Sequence, residues 1–487
     1  MTDVTLSLGR RAGWPAAFAL LAALLVSTIR GLGNPSYGPL PAFGAFEPIK
    51  FIDPLLLLAL GGVAILNAVA RGTRTVPGWK VRWGACIAII AGIGIVGALV
   101  AGVPSYFAAQ SLLFVLRPAL LLLILTGFSW ERSTAPRLWT LVVWFSLANA
   151  GLVLSQWWSV SATGDDYSAD AIIGLFHDAH QQATFAYTVA VLSLSCLARR
   201  STWWRRIFWA CFCGLNAFVG FLSQGQKATG IAIGVVIMAA VIGIVRSRAR
   251  LTRVATLLPA TALVALAAVP LAAGTLFWSR ATVVVSGNLL ERLEDGGYQG
   301  MAFLRDLGVV QMVGDFEELS ADNARIVFLG IGPSNFGSPA ALTRLENGDA
   351  APRSRELFWR EVAKEEELVA SGELRLLGLS AKTSILGVLL GEYGCIALLA
   401  FLYLLVWPLF LAPRDGPDTL DIDTARGLFW LKVAYVGLVL QSLLSTLGAW
   451  DNDVVTTILI AGFASVLASR EDAPSGLWMP VTEVGHA

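Results

Sequence analysis

Apolar stretches of about twenty residues recur along the whole chain, separated by short polar segments. A run of that length, wound as a helix, matches the hydrocarbon core of a bilayer. The pattern predicts about twelve membrane-spanning helices. They lie near 13–30, 53–70, 83–103, 105–128, 138–158, 181–198, 206–223, 229–246, 254–278, 384–411, 427–448 and 452–469. The expected architecture is an all-α polytopic bundle. Nine spanning helices occupy 1–278, a long polar loop 279–383, three more helices 384–470 and a tail 471–487.

The polar segments set the orientation. Arg10 and Arg11, RGTRTVPGWKVR (71–82), Arg132 with Arg137, RRSTWWRR (199–206) and RSRARLTR (246–253) share one side if every run spans. Basic loops mark the cytoplasmic face, so both termini are expected there. The opposite loop, SVSATGDDYSADAIIGLFHDAH (159–180), carries four aspartates and no lysine or arginine. Trp79, Trp130, Trp157, Trp158, Trp203, Trp204 and Trp278 fall at the expected helix ends, as interfacial anchors do. The first apolar stretch lacks a small-residue cleavage site and reads as a retained helix. The long loop falls outside the cytoplasm. Within it, RELFWREVAKEEELVASGELRLL (355–377) reads as an amphipathic helix lying on the membrane, with Phe358, Val362 and Leu368 on its apolar stripe.

Composition narrows the class. Apolar residues make up 56% of the chain and charged residues 14%, with a mean hydropathy of +0.68. A soluble domain carries about 25% charged residues. Net charge is +1, so the bulk field indicates no particular partner. No nucleic-acid partner is expected, and membrane lipids are. The five cysteines all lie in apolar runs without redox or zinc spacing, and read as small packing residues.

Against this background a few polar residues stand out. Arg117 sits at the centre of SYFAAQSLLFVLRPALLLLILTGF (105–128), beside Pro118. A guanidinium does not deprotonate at that depth, so it needs a partner or a wet cavity. Glu392 lies inside SILGVLLGEYGCIALLAF (384–401) and has the same need. Arg117 is one candidate partner for it, and substrate positioning is the alternative role. In FLSQGQKATGIAIGVV (221–236) a polar break puts Lys227 at the mouth of the next helix, where free backbone N–H groups favour an anion. The long loop begins with Arg280, Arg292, Arg305 and Arg325, followed by FLGIGPSNFGS (328–338), a tight glycine turn but not a nucleotide-binding loop. His177-Asp-Ala-His180 lacks a third metal ligand. His180 is expected to cap the following helix or to touch a polar substrate.

Three of these patterns, in this order, resemble the O-antigen ligase and O-antigen polymerase superfamily of bacterial envelopes. FLSQGQKATG (221–230) is similar to that family's Ser-Arg-Gly helix start, with Lys227 in the arginine's place. FLGIGPSNF (328–336) is similar to its Gly-x-Gly-x-x-Asn-Phe turn. SILGVLLGEYGCIALLAFLYLL (384–405) is similar to the helix after its long loop, with Glu392-Tyr393-Gly394 as Glu-x-Gly. The arginine usual near the start of the long loop best matches Arg305, with Arg292 as the alternative. The segment LSAKTSIL (379–386) carries Lys382 where ligases have a histidine. That departure favours a polymerase, or a divergent relative, over a ligase.

The resemblance implies a glycosyltransferase of the bacterial cytoplasmic membrane, acting on its outer side. The donor would be a glycan on a polyprenyl diphosphate, and the acceptor a glycan or lipid-linked saccharide, for O-antigen, capsule or exopolysaccharide. Diphosphate is already a good leaving group, so its developing charge needs cations rather than a proton donor. Fixed Arg and Lys side chains supply that with no cofactor and no metal. Lys227, Arg305 and Arg117 are the expected catalytic cations. Arg292, Arg325, His180, Glu392 and Lys382 are the expected substrate contacts. The base is open between His180, an acidic loop residue and none. Chain-length or export proteins are candidate partners. The competing readings are a lipid-linked saccharide flippase or transporter, a metal-dependent lipid-linked glycosyltransferase, and a non-catalytic assembly protein. The first external loop offers only Glu47 for a metal.

Overall fold

The structure is a computed structural model that describes residues 14–33, 52–70, 77–128, 134–163, 172–197, 202–223, 232, 234–239, 324–334, 385–411, 422–444 and 452–471. Among them are helices and turns and no strand. In chain order the helices are α1 (Trp14–Leu32), α2 (Ile52–Ala70), α3 (Gly78–Ala101), α4 (Ser105–Leu125), α5 (Thr134–Thr163), α6 (Ala179–Leu197), α7 (Trp203–Leu222), α8 (Ala324–Leu329), α9 (Ile385–Val388), α10 (Gly394–Val406), α11 (Ile422–Leu444) and α12 (Asp453–Glu471). A π-helical turn, Leu389–Tyr393, joins α9 to α10, and a 3₁₀ turn, Trp407–Phe410, follows α10.

The protein is an all-α helical membrane protein. Among the described residues six helical stretches are long and apolar enough to cross a bilayer: α1, α3, α4, α5, α7 and the Leu389–Phe410 run. Shorter apolar cores lie in α2, α11 and α12. Where the expected spans fall on described residues they coincide with helices whose ends are shifted, and six of these stretches have the length and apolarity of a span. α3 starts at Gly78 rather than near 83, because Pro77, with extended backbone, stands at its N-cap and the helix then runs through Lys80 and Arg82. The predicted run 254–278, the amphipathic stretch 355–377 and all of the long loop except 324–334 lie outside the described residues.

Burial explains the hydropathy of each helix. α6 is buried along nearly its whole length, including Gln181, Gln182, Thr184, Thr188 and Ser193. It packs on α5, α7, α11 and α12, so its polar side chains meet protein rather than lipid. Thr184 donates to Gln441 on α11 at 2.7 Å, and Asn149 on α5 donates to Gln182 at 2.7 Å. α3 lies at the edge, with Ile95, Leu99 and Val100 exposed, as a lipid-facing surface requires.

The end of α1 and the starts of α6 and α12 meet at one end of the bundle. The other end is braced by Trp79 stacked on Trp407 at 4.9 Å, and by Lys80 Nζ donating to the Thr126 carbonyl at 3.0 Å.

Candidate functional site

The Glu392 carboxylate is the hub of a buried polar knot. Glu392 is 1% exposed. Its Oε2 accepts from Ser111 Oγ and from the Ser334 backbone N–H, both at 2.7 Å. Ser111 has a single proton, which goes to Glu392, so Tyr393 must donate its hydroxyl proton to Ser111 Oγ, at 2.7 Å. Ser334 Oγ in turn donates to the Phe107 carbonyl at 2.7 Å. Three stretches far apart in sequence are thereby tied together: the start of α4, the glycine turn after α8, and the π turn.

The backbone of the two turns interlocks as well. Ile331 N–H donates to the Gly391 carbonyl at 2.8 Å and Gly332 N–H to the Glu392 carbonyl at 3.1 Å. Gly330 has φ +66°, and a Cβ there would land on the Glu392 carbonyl. Gly394 has φ +75°, and a Cβ there would land on the Phe328 carbonyl. Both positions therefore demand glycine twice over, for the left-handed backbone and for the close approach. Ser334 also has positive φ, +58°, which is uncommon for a residue with a side chain and is held here by its two hydrogen bonds. The turn inserted against the helix accounts for the π geometry: the Gly391 and Glu392 carbonyls are drawn to Ile331 and Gly332, and the α-helical ladder widens there.

Arg117 belongs to a second constellation. Its Nη1 lies 2.6 Å from Asp453 Oδ1 and donates to Thr456 Oγ1 at 3.1 Å. Both partners sit in the first turn of α12. Thr456 sends its own proton back to the Asn452 carbonyl at 3.0 Å, leaving its oxygen free to accept from Arg117. The side chains are 10% and 19% exposed, so the pair is largely desolvated. Asp453 thus takes the place expected of Glu392. The reason is helical phase: Ser111 and Arg117 are six residues apart on α4, about 9 Å along the axis and about 120° around it. One faces the π turn and the other faces α12.

Near this pair a narrow cleft, with room for about one water, opens between α1, α6 and α12. Its polar lining is Ser27, Arg30, His177, Gln181, Asn452 and Asp453. Asp178 caps α6, accepting from Gln181 N–H at 2.7 Å. The helix cap expected of His180 is therefore Asp178, whose short carboxylate reaches back to the first turn. Asn452 caps α12 through Val455 N–H at 3.1 Å and donates to the Gln181 carbonyl at 2.7 Å. His180 is the second residue of α6 and is half-buried.

Of the expected site residues, Arg117, His180 and Glu392 are placed with their side chains. Arg325 lies in α8, whose turn leads into Gly330. Lys227, Arg292, Arg305 and Lys382 lie outside the described residues. Sequence reasoning passed over Ser111, Ser334, Arg30, Asn452 and Asp453. Asp453 opens the last apolar run, in the string Asp451-Asn452-Asp453, and a charged residue at that border was the available signal. Among the described residues no group of three or more His, Cys, Asp or Glu side chains is gathered to hold a metal ion. No family model, curated protein or solved structure matches the chain.

Proposed function

We propose that the protein is a membrane-embedded glycosyltransferase that lengthens, or transfers, a polyprenyl-diphosphate-linked oligosaccharide on the outer side of a bacterial cytoplasmic membrane. One observation carries the reading. The glycine turn and the Glu-Tyr-Gly helix, two of the three patterns behind the resemblance, are bound to each other through Glu392, Gly330 and Ser334. Such a lock holds the middle of the long loop against the bundle. In the proposed arrangement Arg305 and Arg325 of that loop meet Lys227 of the short loop. Glu392 in this account positions the turn and is not the catalytic base.

In the proposed reaction the acceptor sugar hydroxyl attacks the anomeric carbon of the donor. The bond from that carbon to the diphosphate oxygen breaks, and the proton of the attacking hydroxyl is lost to a base or to water. The polyprenyl diphosphate leaves with its electron pair, and guanidinium and ammonium groups neutralise the charge that develops on it. Lys227 and Arg305 take that role. Arg117, held rigid by Asp453, supports the field from within the membrane. Lys382 and Arg292 complete the basic rim. The test is polymer production in cells carrying Lys227→Ala or Arg305→Ala, with membrane insertion checked by blotting. Loss of long glycan with normal insertion supports the site, and normal polymer from both variants removes it.

A further inference from the structure

The end of the bundle where α6 finishes and α7 begins carries a cationic and aromatic patch. Arg205 and Arg206 lie in the first turn of α7, and both are exposed. Neither guanidinium has an ion pair or a hydrogen bond among the described residues. α7 packs on α5 and α6, and none of these three helices contains an aspartate or glutamate. The adjoining segments 129–133 and 198–201, outside the described residues, bring Arg132, Arg199 and Arg200 against one acidic residue, Glu131. The acidic stretch with Asp415, Asp418 and Asp421 leads into α11, which packs on α6, α9 and α12. Beside the arginines, Trp203 and Trp204 stack on each other at 3.6 Å and are 58% and 66% exposed. Ile207, Phe208 and Cys211 continue the same outward face into the bilayer. The inward side of the turn is fixed, with Trp209 stacked on Trp139 of α5 at 6.1 Å. α7 has the length and apolarity of a span, and its 20 residues rise about 30 Å, the thickness of the hydrocarbon layer. Its first turn therefore lies at the depth of lipid phosphates, where exposed tryptophans also settle.

We infer that this patch binds the headgroup of an anionic phospholipid. Arg205 and Arg206 donate to its phosphate, and the Trp203–Trp204 pair packs on its glycerol and upper acyl chains. Two fixed cations without a carboxylate gain most from a phosphate that brings no cation of its own. Phosphatidylglycerol meets that condition. Phosphatidylcholine does not, because its choline group is repelled by the same two arginines. The patch fits a lipid rather than a soluble partner because its exposed face runs without a break into the lipid-facing strip of α7. The inference does not depend on the transferase reading, because it concerns binding without turnover.

The experiment uses the full-length protein in nanodiscs whose phosphatidylcholine is replaced stepwise by phosphatidylglycerol with the same acyl chains. Lipids retained on the protein after its release from the discs are counted by native mass spectrometry. The wild type is expected to prefer phosphatidylglycerol by about tenfold or more, and Arg205→Gln or Arg206→Gln to lower that preference about fivefold, with a larger fall in the double variant. Arg82→Gln removes an exposed cation near the start of α3 and is expected to leave the preference within about twofold of wild type, since exposed charges beyond about 10 Å are screened. The proposal is overturned by an undiminished preference in the double variant, or by a loss in Arg82→Gln as large as that in Arg205→Gln. Should the arginine variants fail to insert, the wild type still decides: equal retention of the two lipids overturns the proposal and leaves the patch to a protein partner.

Discussion

Replacing Asp453 by asparagine leaves the shape of the Arg117 site unchanged and removes only its negative charge. Arg117 cannot shed its own charge, so the variant holds a desolvated cation with one neutral partner at Oδ1 and the hydroxyl of Thr456. Breaking a buried ion pair from one side costs about 3–5 kcal/mol. The 19% exposure of Asp453 and the remaining hydrogen bonds place this site at the lower bound, about 3 kcal/mol. At about 1.4 kcal/mol per tenfold, that is a shift of more than a hundredfold in the unfolding equilibrium. The assay is reversible unfolding in mixed micelles. Arg117→Met combined with Asp453→Leu provides the control, since an apolar pair of similar volume restores most of the loss. Asp453→Asn within about 0.5 kcal/mol of wild type, or a double variant no better than the sum of its single changes, would refute the pair as the means by which the bundle tolerates Arg117.

Other outcomes follow from the Glu392 knot. Glu392→Leu strands the Ser334 N–H and the Ser111 hydroxyl, and is expected to lower stability by about 2–4 kcal/mol, whereas Glu392→Gln, which keeps an acceptor, costs about 1 kcal/mol; thermal unfolding separates them. Tyr393→Phe removes one donor to Ser111 and is expected to cost about 1 kcal/mol by the same measurement. Gly330→Ala forces a Cβ into the Glu392 carbonyl at positive φ and is expected to abolish the folded protein or its activity, while Gly92→Ala, which meets nothing within 4 Å, leaves the melting point unchanged or slightly higher. Chelator is expected to leave glycan transfer intact in a reconstituted assay, and loss of transfer on metal removal would return the metal-dependent alternative.

The helices were legible because lipid and protein core impose the same demand on a twenty-residue run. Arg117 and Glu392 were legible as residues in need of partners, since a charge in an apolar run is costly wherever it lies. Their partners were not. Ser111 is 281 residues from Glu392 and Asp453 is 336 residues from Arg117, so only the packing of α4 between the π turn and α12 pairs them. Pairing the two obvious charges with each other ignored the rotation between Ser111 and Arg117 on one helix. The glycine turn at 330–334 was visible as a tight turn. Its docking onto Glu392, and the π turn this produces, depends on two carbonyls meeting two N–H groups across a long loop, which no local pattern encodes.

The most direct test of the account is turnover in proteoliposomes that contain only this protein and a polyprenyl-diphosphate-linked oligosaccharide, with chelator present. A ladder of lengthened lipid-linked glycan, lost in Arg305→Ala, is the result expected of a polymerase. Saccharide that reaches the opposite leaflet with its size unchanged would contradict it and leave a flippase in its place.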